Sequence, residues 1–202
     1  MTRLTHALIF DLGGVLIDWD PRHLYRKLLP DDAAVEEFLA RVCTPVWNLS
    51  LDAGRSFADG VQDLVARFPR EEKLIRAYHD RWTEMVAGAF EETVALLEEL
   101  RARHPVYALT NWSAETWPHA QERFDFLAWF CGVVVSGHEG VVKPDERIYR
   151  ILLERHGLVA EETIFIDDQP RNVDAARALG IDAIRYTNAV ELRRELAARS
   201  VV

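Results

Sequence analysis

Residues 6–16 read HALIFDLGGVL, an apolar run that stops at Asp11 and a pair of glycines. His6–Phe10 has the length and unbroken apolar character of a strand covered on both faces. Four further short apolar segments follow, at Val106–Thr110, Gly132–Val135, Thr163–Ile166 and Ala183–Tyr186. Helical spacing separates the later ones. Val94, Leu97 and Leu100 precede the second strand, Ile148, Ile151 and Leu152 the fourth, and Val173, Ala176 and Leu179 the fifth. This alternation predicts an α/β fold: a Rossmann-like parallel five-stranded sheet with helices on both faces. Right-handed crossovers then bring every strand's carboxyl end to one edge, where ligands bind in open sheets.

The stretch between the first two strands, from about Leu16 to Arg103, is far longer than one crossover helix requires. From Asp18 to Gly88 it carries helical periodicity, punctuated by turn signals at Pro30, Pro45, Gly54, Gly60 and Pro69. It is expected to form an inserted all-helical cap. Residues 1–17 and 89–202 then make the α/β core and 18–88 the cap, seated over the ligand edge as a lid.

Of the 202 residues 49% are apolar, enough for one sizeable core with a small satellite. A net charge of −9 disfavours nucleic acid and acidic membrane as partners, so an anionic small molecule needs a local cation to hold it. Cys43 and Cys131 lie far apart in no metal-ligand spacing, and the seven histidines show none either. That pattern suits a reducing compartment rather than a disulfide scaffold or zinc site. No apolar run approaches the roughly 18 residues of a membrane span. The N-terminal stretch lacks a signal peptide's small-residue cleavage site, so a cytoplasmic location is expected. Of the 24 basic residues only Lys27, Lys73 and Lys143 are lysine, which raises the question of what an ammonium does at each.

Polar residues gather at four predicted strand ends. Asp11 follows the first, and Thr110 and Asn111 end the second in ALTNW. Lys143 follows the third in GVVKPD, and Asp167 and Asp168 end the fourth in IFIDDQPRN. Three carboxylates, a hydroxyl and a lysine on one edge make a site for a divalent cation and a phosphate. Unpaired carboxylates so close would raise one another's pKa, and Mg²⁺ suits their hard oxygens. A turn-capping role accounts for Asp11 or Asp168 singly, but leaves Asp167 unexplained. Lys27 and Lys73 read as surface residues, whereas Pro144 and the loop Gly137–Gly140 suit a fixed Lys143.

These four motifs, in this order and covering the whole chain, resemble the haloacid dehalogenase-like superfamily, specifically its phosphatases with a helical cap. Within it the chain looks closest to enzymes acting on sugar 1-phosphates such as α-D-glucose 1-phosphate. The shared features are Asp-Leu-Gly, the aspartates Asp18 and Asp20, and Trp117-Pro118. The resemblance implies that Asp11 is the nucleophile and forms an aspartyl-phosphate that water hydrolyses. It implies Mg²⁺ held by Asp11, the backbone carbonyl of Gly13 and Asp168, with Asp167 behind them. The amides of Leu12 and Gly13 would face the phosphate, and Thr110 and the backbone around Asn111 would bind phosphoryl oxygens. Lys143 would neutralise the charge on Asp11 and the transferring group.

One position departs from the family pattern. Most phosphatases of the superfamily carry a second aspartate two residues after the nucleophile as general acid and base, and here that residue is Gly13. Either the leaving group is easily expelled or another residue supplies the proton, with Asp18, Asp20 and His23 as candidates. Trp82 and Trp129 read as core. Trp19, Trp47 and Trp112 are placed between core and pocket, with core favoured. Three other functions fit the motifs less well. A 2-haloacid dehalogenase needs no metal and lacks the acidic pair. A module that binds a phosphometabolite and signals would have lost turnover with the second aspartate, replaced here by Gly13. A phospho-receiver domain places its acidic pair first in the chain rather than last.

Overall fold

The structure, a computed structural model, describes residues 7–202. His6, placed by sequence in the first strand, lies outside the described residues. In chain order the elements begin β1 Ala7–Phe10, β2 Ile17–Trp19, α1 Arg22–Tyr25, α2 Asp32–Arg41, α3 Pro45–Asp52, α4 Phe57–Arg67, α5 Glu72–Asp80 and β3 Val86–Ala89. They continue α6 Glu91–Arg101, β4 Val106–Thr110, α7 Trp117–Arg123, β5 Gly132–Val135, α8 Ser136–Glu139 and α9 Glu146–His156. The last are β6 Thr163–Asp167, α10 Pro170–Ala178, β7 Asp182–Arg185 and α11 Ala189–Ala198. No described helix is long and apolar enough to cross a membrane.

Five strands form one parallel sheet in the order β5-β4-β1-β6-β7. The strands are apolar at nearly every position, yet alternate residues still sort to opposite faces. Leu8, Phe10, Ala108, Ile164 and Ile166 pack on one face with Leu97 and Leu100 of α6 and Leu192 and Leu196 of α11. Ile9, Leu109 and Phe165 pack on the other with Ile148 and Leu152 of α9 and Val173 and Ala176 of α10. With β1 central, paired Phe10 to Ala108 and Phe10 to Ile166, the carboxyl ends of β4, β1 and β6 lie side by side.

The chain between β1 and β4 holds helices α1 to α5, as expected, but also a feature absent from the sequence reading. Strands β2 and β3 pair antiparallel, Ile17 with Ala89 and Asp18 with Gly88, with an irregularity beside Trp19. The boundaries 17/18 and 88/89 fall inside this ribbon, whose strands are too short for a two-residue period to register. Three of the insert helices start on a side-chain cap. Asp31 accepts from the Ala34 amide, Thr44 from Trp47 and Ser56 from Asp59, each worth about 1 kcal/mol. Gly60, read as a turn signal, lies within α4. A Cβ there would meet the Leu51 side chain at 2.7 Å, so the glycine serves close helix packing. Buried side chains run without interruption from the α6 face of the sheet through Leu12, Leu16 and Ile17 into Tyr25, Trp47 and Leu51 of the insert.

Candidate active site

Asp11 follows β1, and its amide extends the ladder by donating to the Ile166 carbonyl at 2.8 Å. Thr110 closes β4, Asp167 closes β6 with Asp168 next, and Lys143 comes from the segment between α8 and α9. The fold thereby brings the sequence-predicted groups together on one edge. One carboxylate oxygen from each of Asp11, Asp167 and Asp168 lies within 4.8 Å of the others.

Lys143 is fully buried, and its Nζ is enclosed by three acceptors. They are Asp11 Oδ2 at 2.9 Å, Asp167 Oδ2 at 2.7 Å and the Leu109 carbonyl at 2.8 Å. Burial works against the ammonium, but Asp11 and Asp167 outweigh it and raise its pKa. Asn111 fixes the same residue by its backbone: Oδ1 accepts from the Lys143 amide at 2.8 Å and Nδ2 donates to the Lys143 carbonyl at 3.0 Å. Lys27, by contrast, is an exposed partner of Glu84, and Lys73 is exposed.

The carboxylates differ in what surrounds them. Asp167 is saturated, accepting from Lys143, the Gln169 amide at 2.8 Å and Asn172 Nδ2 at 3.0 and 3.1 Å. Asp11 accepts from the Leu12 amide at 2.7 Å, so that amide, expected to face phosphate, is engaged by the neighbouring carboxylate. Burial drives the Asp11 pKa well up against the pull of Lys143, and Asp167 and Asp168 push it further. Half-buried Asp168 is raised by burial and by Asp167. One ammonium thus faces three carboxylates. A divalent cation among hard oxygen donors would cancel the remaining charge, so the donor set fits Mg²⁺. Thr110 adds a second sign of an absent partner, since its buried Oγ1 has no hydrogen-bond partner among the described residues.

The two glycines after Asp11 do different work. Gly14 sits at φ +79°, and a Cβ there would lie 3.0–3.1 Å from the Asp168 carboxylate. A Cβ on Gly13 would meet nothing within 4 Å.

Asp11, Gly13, Asn111, Lys143 and Asp168 open into a cavity of about 650 Å³ whose opposite wall is the insert. That wall mixes apolar Trp19, Leu39, Pro45 and Leu49 with polar Arg22, Glu36, Asn48 and Asp52. Trp47 and Trp112 are core instead, the first through a hydrogen bond to the Gly60 carbonyl, the second beside Trp82 and Trp117. Three of the sequence candidates do not line the cavity. His23 Nε2 and Asp18 Oδ1 pair at 2.9 Å, and Asp20 accepts from the Arg22 amide at 2.8 Å. A second cavity of about 510 Å³, beside Phe57, Arg76, His79 and Glu115, contains none of the strand-end groups.

Asp52 is the group that the sequence reading missed. It ends α3, is only 9% exposed and lines the main cavity. Burial pushes its pKa up to about 7, although a Ser113 backbone amide and Asn48 Nδ2 at 2.9 Å both donate to it. In sequence it is one acid in a helix, with no motif around it.

The profile of the haloacid dehalogenase-like hydrolases matches residues 5–180 of the chain. The sesquiterpene phosphatase astK of Aspergillus oryzae is 26% identical over 207 residues, covering 94% of each chain. The D-ribitol-5-phosphate phosphatase of Bacteroides thetaiotaomicron is 21% identical, covering 94% of this chain and 95% of that one. Among solved structures, a HAD family enzyme of Bacteroides thetaiotaomicron in complex with magnesium and inorganic phosphate superposes with a TM-score of 0.70. It is 24% identical and covers 91% of this chain and 95% of that one.

Proposed function

The chain belongs to the haloacid dehalogenase-like hydrolases, and from that premise we propose that it is a Mg²⁺-dependent phosphatase of small phosphorylated metabolites, sugar phosphates foremost. The observation that carries this reading is the Lys143 ammonium held 2.9 Å from Asp11, with the Asp168 carboxylate close by. A carboxylate attacking a phosphate dianion needs its own charge cancelled, and this arrangement supplies one positive charge and the ligands for two more. The names of two full-length relatives, a sesquiterpene phosphatase and a ribitol-phosphate phosphatase, support the reaction class. The cavity of about 650 Å³ has room for a sugar, and its polar insert residues suit hydroxyl groups.

In this reading Asp11 attacks phosphorus in line with the leaving alcohol and carries the phosphoryl group as an aspartyl-phosphate. Lys143 pulls the Asp11 pKa down against burial and orders the carboxylate, and Asn111 holds the Lys143 backbone in place. Thr110 Oγ1 and the amides after Asp11 take the phosphoryl oxygens, which requires the Leu12 amide to leave Asp11 Oδ1. Asp11, the Gly13 carbonyl and Asp168 would hold Mg²⁺, and Asp167 orients Lys143 from behind. When bound, the ion supplies charge neutralisation at the phosphoryl oxygens. Residues 18–88 act as the cap over a core of 1–17 and 89–202, walling the leaving group away from bulk water.

A metabolite-phosphate panel with Mg²⁺ against chelator tests the proposal. Wild type is expected to release phosphate, and Asp11→Asn to lose at least about 10⁴-fold. Mg²⁺ at about 100 times its Kd should add ~2.7 kcal/mol of stability to wild type and none to Asp168→Asn. Silence across the panel together with chloride release from 2-haloacids without metal would transfer the protein to the dehalogenases.

A further inference from the structure

Gly13 leaves the site without the side chain that usually shuttles the proton, and the insert wall shows what takes its place. Resting on the phosphatase reading, we propose that Asp52 is the catalytic general acid and base: its carboxyl protonates the departing alcohol and then deprotonates the attacking water.

Asp52 belongs to the insert but is tied to the loop after β4, the strand that ends in Thr110. The Ser113 amide donates to its carboxylate. Ser136 Oγ, immediately after β5, donates to its carbonyl at 2.6 Å while accepting from the Trp112 amide at 2.9 Å. The carboxyl is therefore held against the phosphate-side loop, on the cavity it shares with Asp11. Behind it Asn48 is orientated by Tyr78, whose hydroxyl donates to Asn48 Oδ1 at 2.8 Å. This turns the Asn48 amide NH₂ toward Asp52.

The other titratable groups on the insert wall are fixed in one charge state. Glu36 is locked by Nε and Nη2 of Arg22 at 2.5 and 2.8 Å and holds its charge, with a lowered pKa. Burial pushes Cys43 up to about 12 and Tyr78 far above its ordinary value, so both keep their protons. Asp18, Asp20 and His23 do not line the cavity. Among the described insert residues on this cavity, Asp52 alone changes charge near neutrality.

The steps balance. An Asp11 oxygen bonds to phosphorus as the P–O bond to the alcohol breaks, and the alkoxide takes the Asp52 proton. Asp52, now ionised, removes a proton from water as its oxygen attacks the aspartyl-phosphate. Phosphate leaves, Asp11 is regenerated, and Asp52 is again protonated.

The test compares leaving groups with Asp52→Asn, and with Asp52→Ser should the amide variant not fold. With 4-nitrophenyl phosphate, whose leaving group needs no acid, a burst of one equivalent of nitrophenolate at the wild-type rate is expected. Turnover afterwards should slow about 10²–10⁴-fold, with protein one phosphoryl group heavier by mass spectrometry. With glucose 1-phosphate, glucose 6-phosphate and ribitol 5-phosphate the burst itself should vanish, because the first step also needs the acid. Wild-type turnover of all four substrates by the variant overturns the proposal and leaves the phosphatase reading standing. An equal loss on all four without a burst overturns it too, marking a structural role. A wild type silent on all four overturns the phosphatase reading instead.

Discussion

Asp11 and Asp52 face one cavity from opposite walls, and both are carboxyls whose pKa burial raises. They differ in partners. Asp11 has an ammonium at 2.9 Å, whereas Asp52 has only a side-chain amide and a backbone amide. Neutral donors offset part of the desolvation and leave a group poised between its two forms. The buried Lys143 ammonium works against the desolvation of Asp11, and in the proposed reaction Mg²⁺ would supply the rest of the charge an attacking carboxylate needs. The sheet edge is thus built for charge and the insert wall for proton exchange, with the same functional group in both.

The largest expected effect removes the charge partner on one side only. Lys143→Met strands Asp11 and Asp167 in the core without a counter-ion, at a cost of about 3–5 kcal/mol. For a chain of this size that is a fall of roughly 10 °C in Tm by calorimetry. An unchanged Tm would mean that the sheet edge is not organised by charge.

The second prediction uses pH on the other wall. Unfolded, Asp52 titrates near ~3.9; folded, at about 7. Between those values the native state retains a proton that the unfolded chain has released, so Asp52 lowers stability as pH rises from about 4 to about 7. The loss approaches ~4 kcal/mol above pH ~7 and vanishes below ~4, at 1.36 kcal/mol per pKa unit. Urea unfolding of wild type and Asp52→Asn across that range should give a difference that moves in the variant's favour and then levels off. Parallel stability curves would place Asp52 among ordinary carboxylates.

The smallest effect tests the glycines next to Asp11. Gly14→Ala is expected to cost about 1–2 kcal/mol for its left-handed backbone and to weaken Mg²⁺-induced stabilisation by displacing Asp168. Gly13→Ala should stay within about 0.5 kcal/mol, since its Cβ points into open space. Equal costs at both positions would blur the distinction between a glycine set by packing and one set by chemistry.

Much of the sheet edge is legible in the sequence because each of its groups sits at the end of a strand. A buried parallel strand is an unbroken apolar run, and the residue after it projects from the edge. Asp11, Thr110, Asp167 and Asp168 therefore stand where the runs stop. The ribbon β2–β3 was not legible, being three and four residues long. Gly60 misled as a breaker because close helix packing, which is not local, selected it. Asp18, Asp20 and His23 looked suitable for proton transfer by proximity to Asp11 in the chain. The turn instead directs them at one another and at Arg22.

What the sequence determined by itself is the alternation of strand and helix, the family and the charged groups at one edge, because these follow from local periodicity and from residues at fixed offsets from it. What only the tertiary structure decided is that a lone aspartate at the end of an insert helix meets the loop after β4 and loses its water. Its titration near neutrality comes from burial, and burial depends on which surfaces meet across some sixty residues of chain.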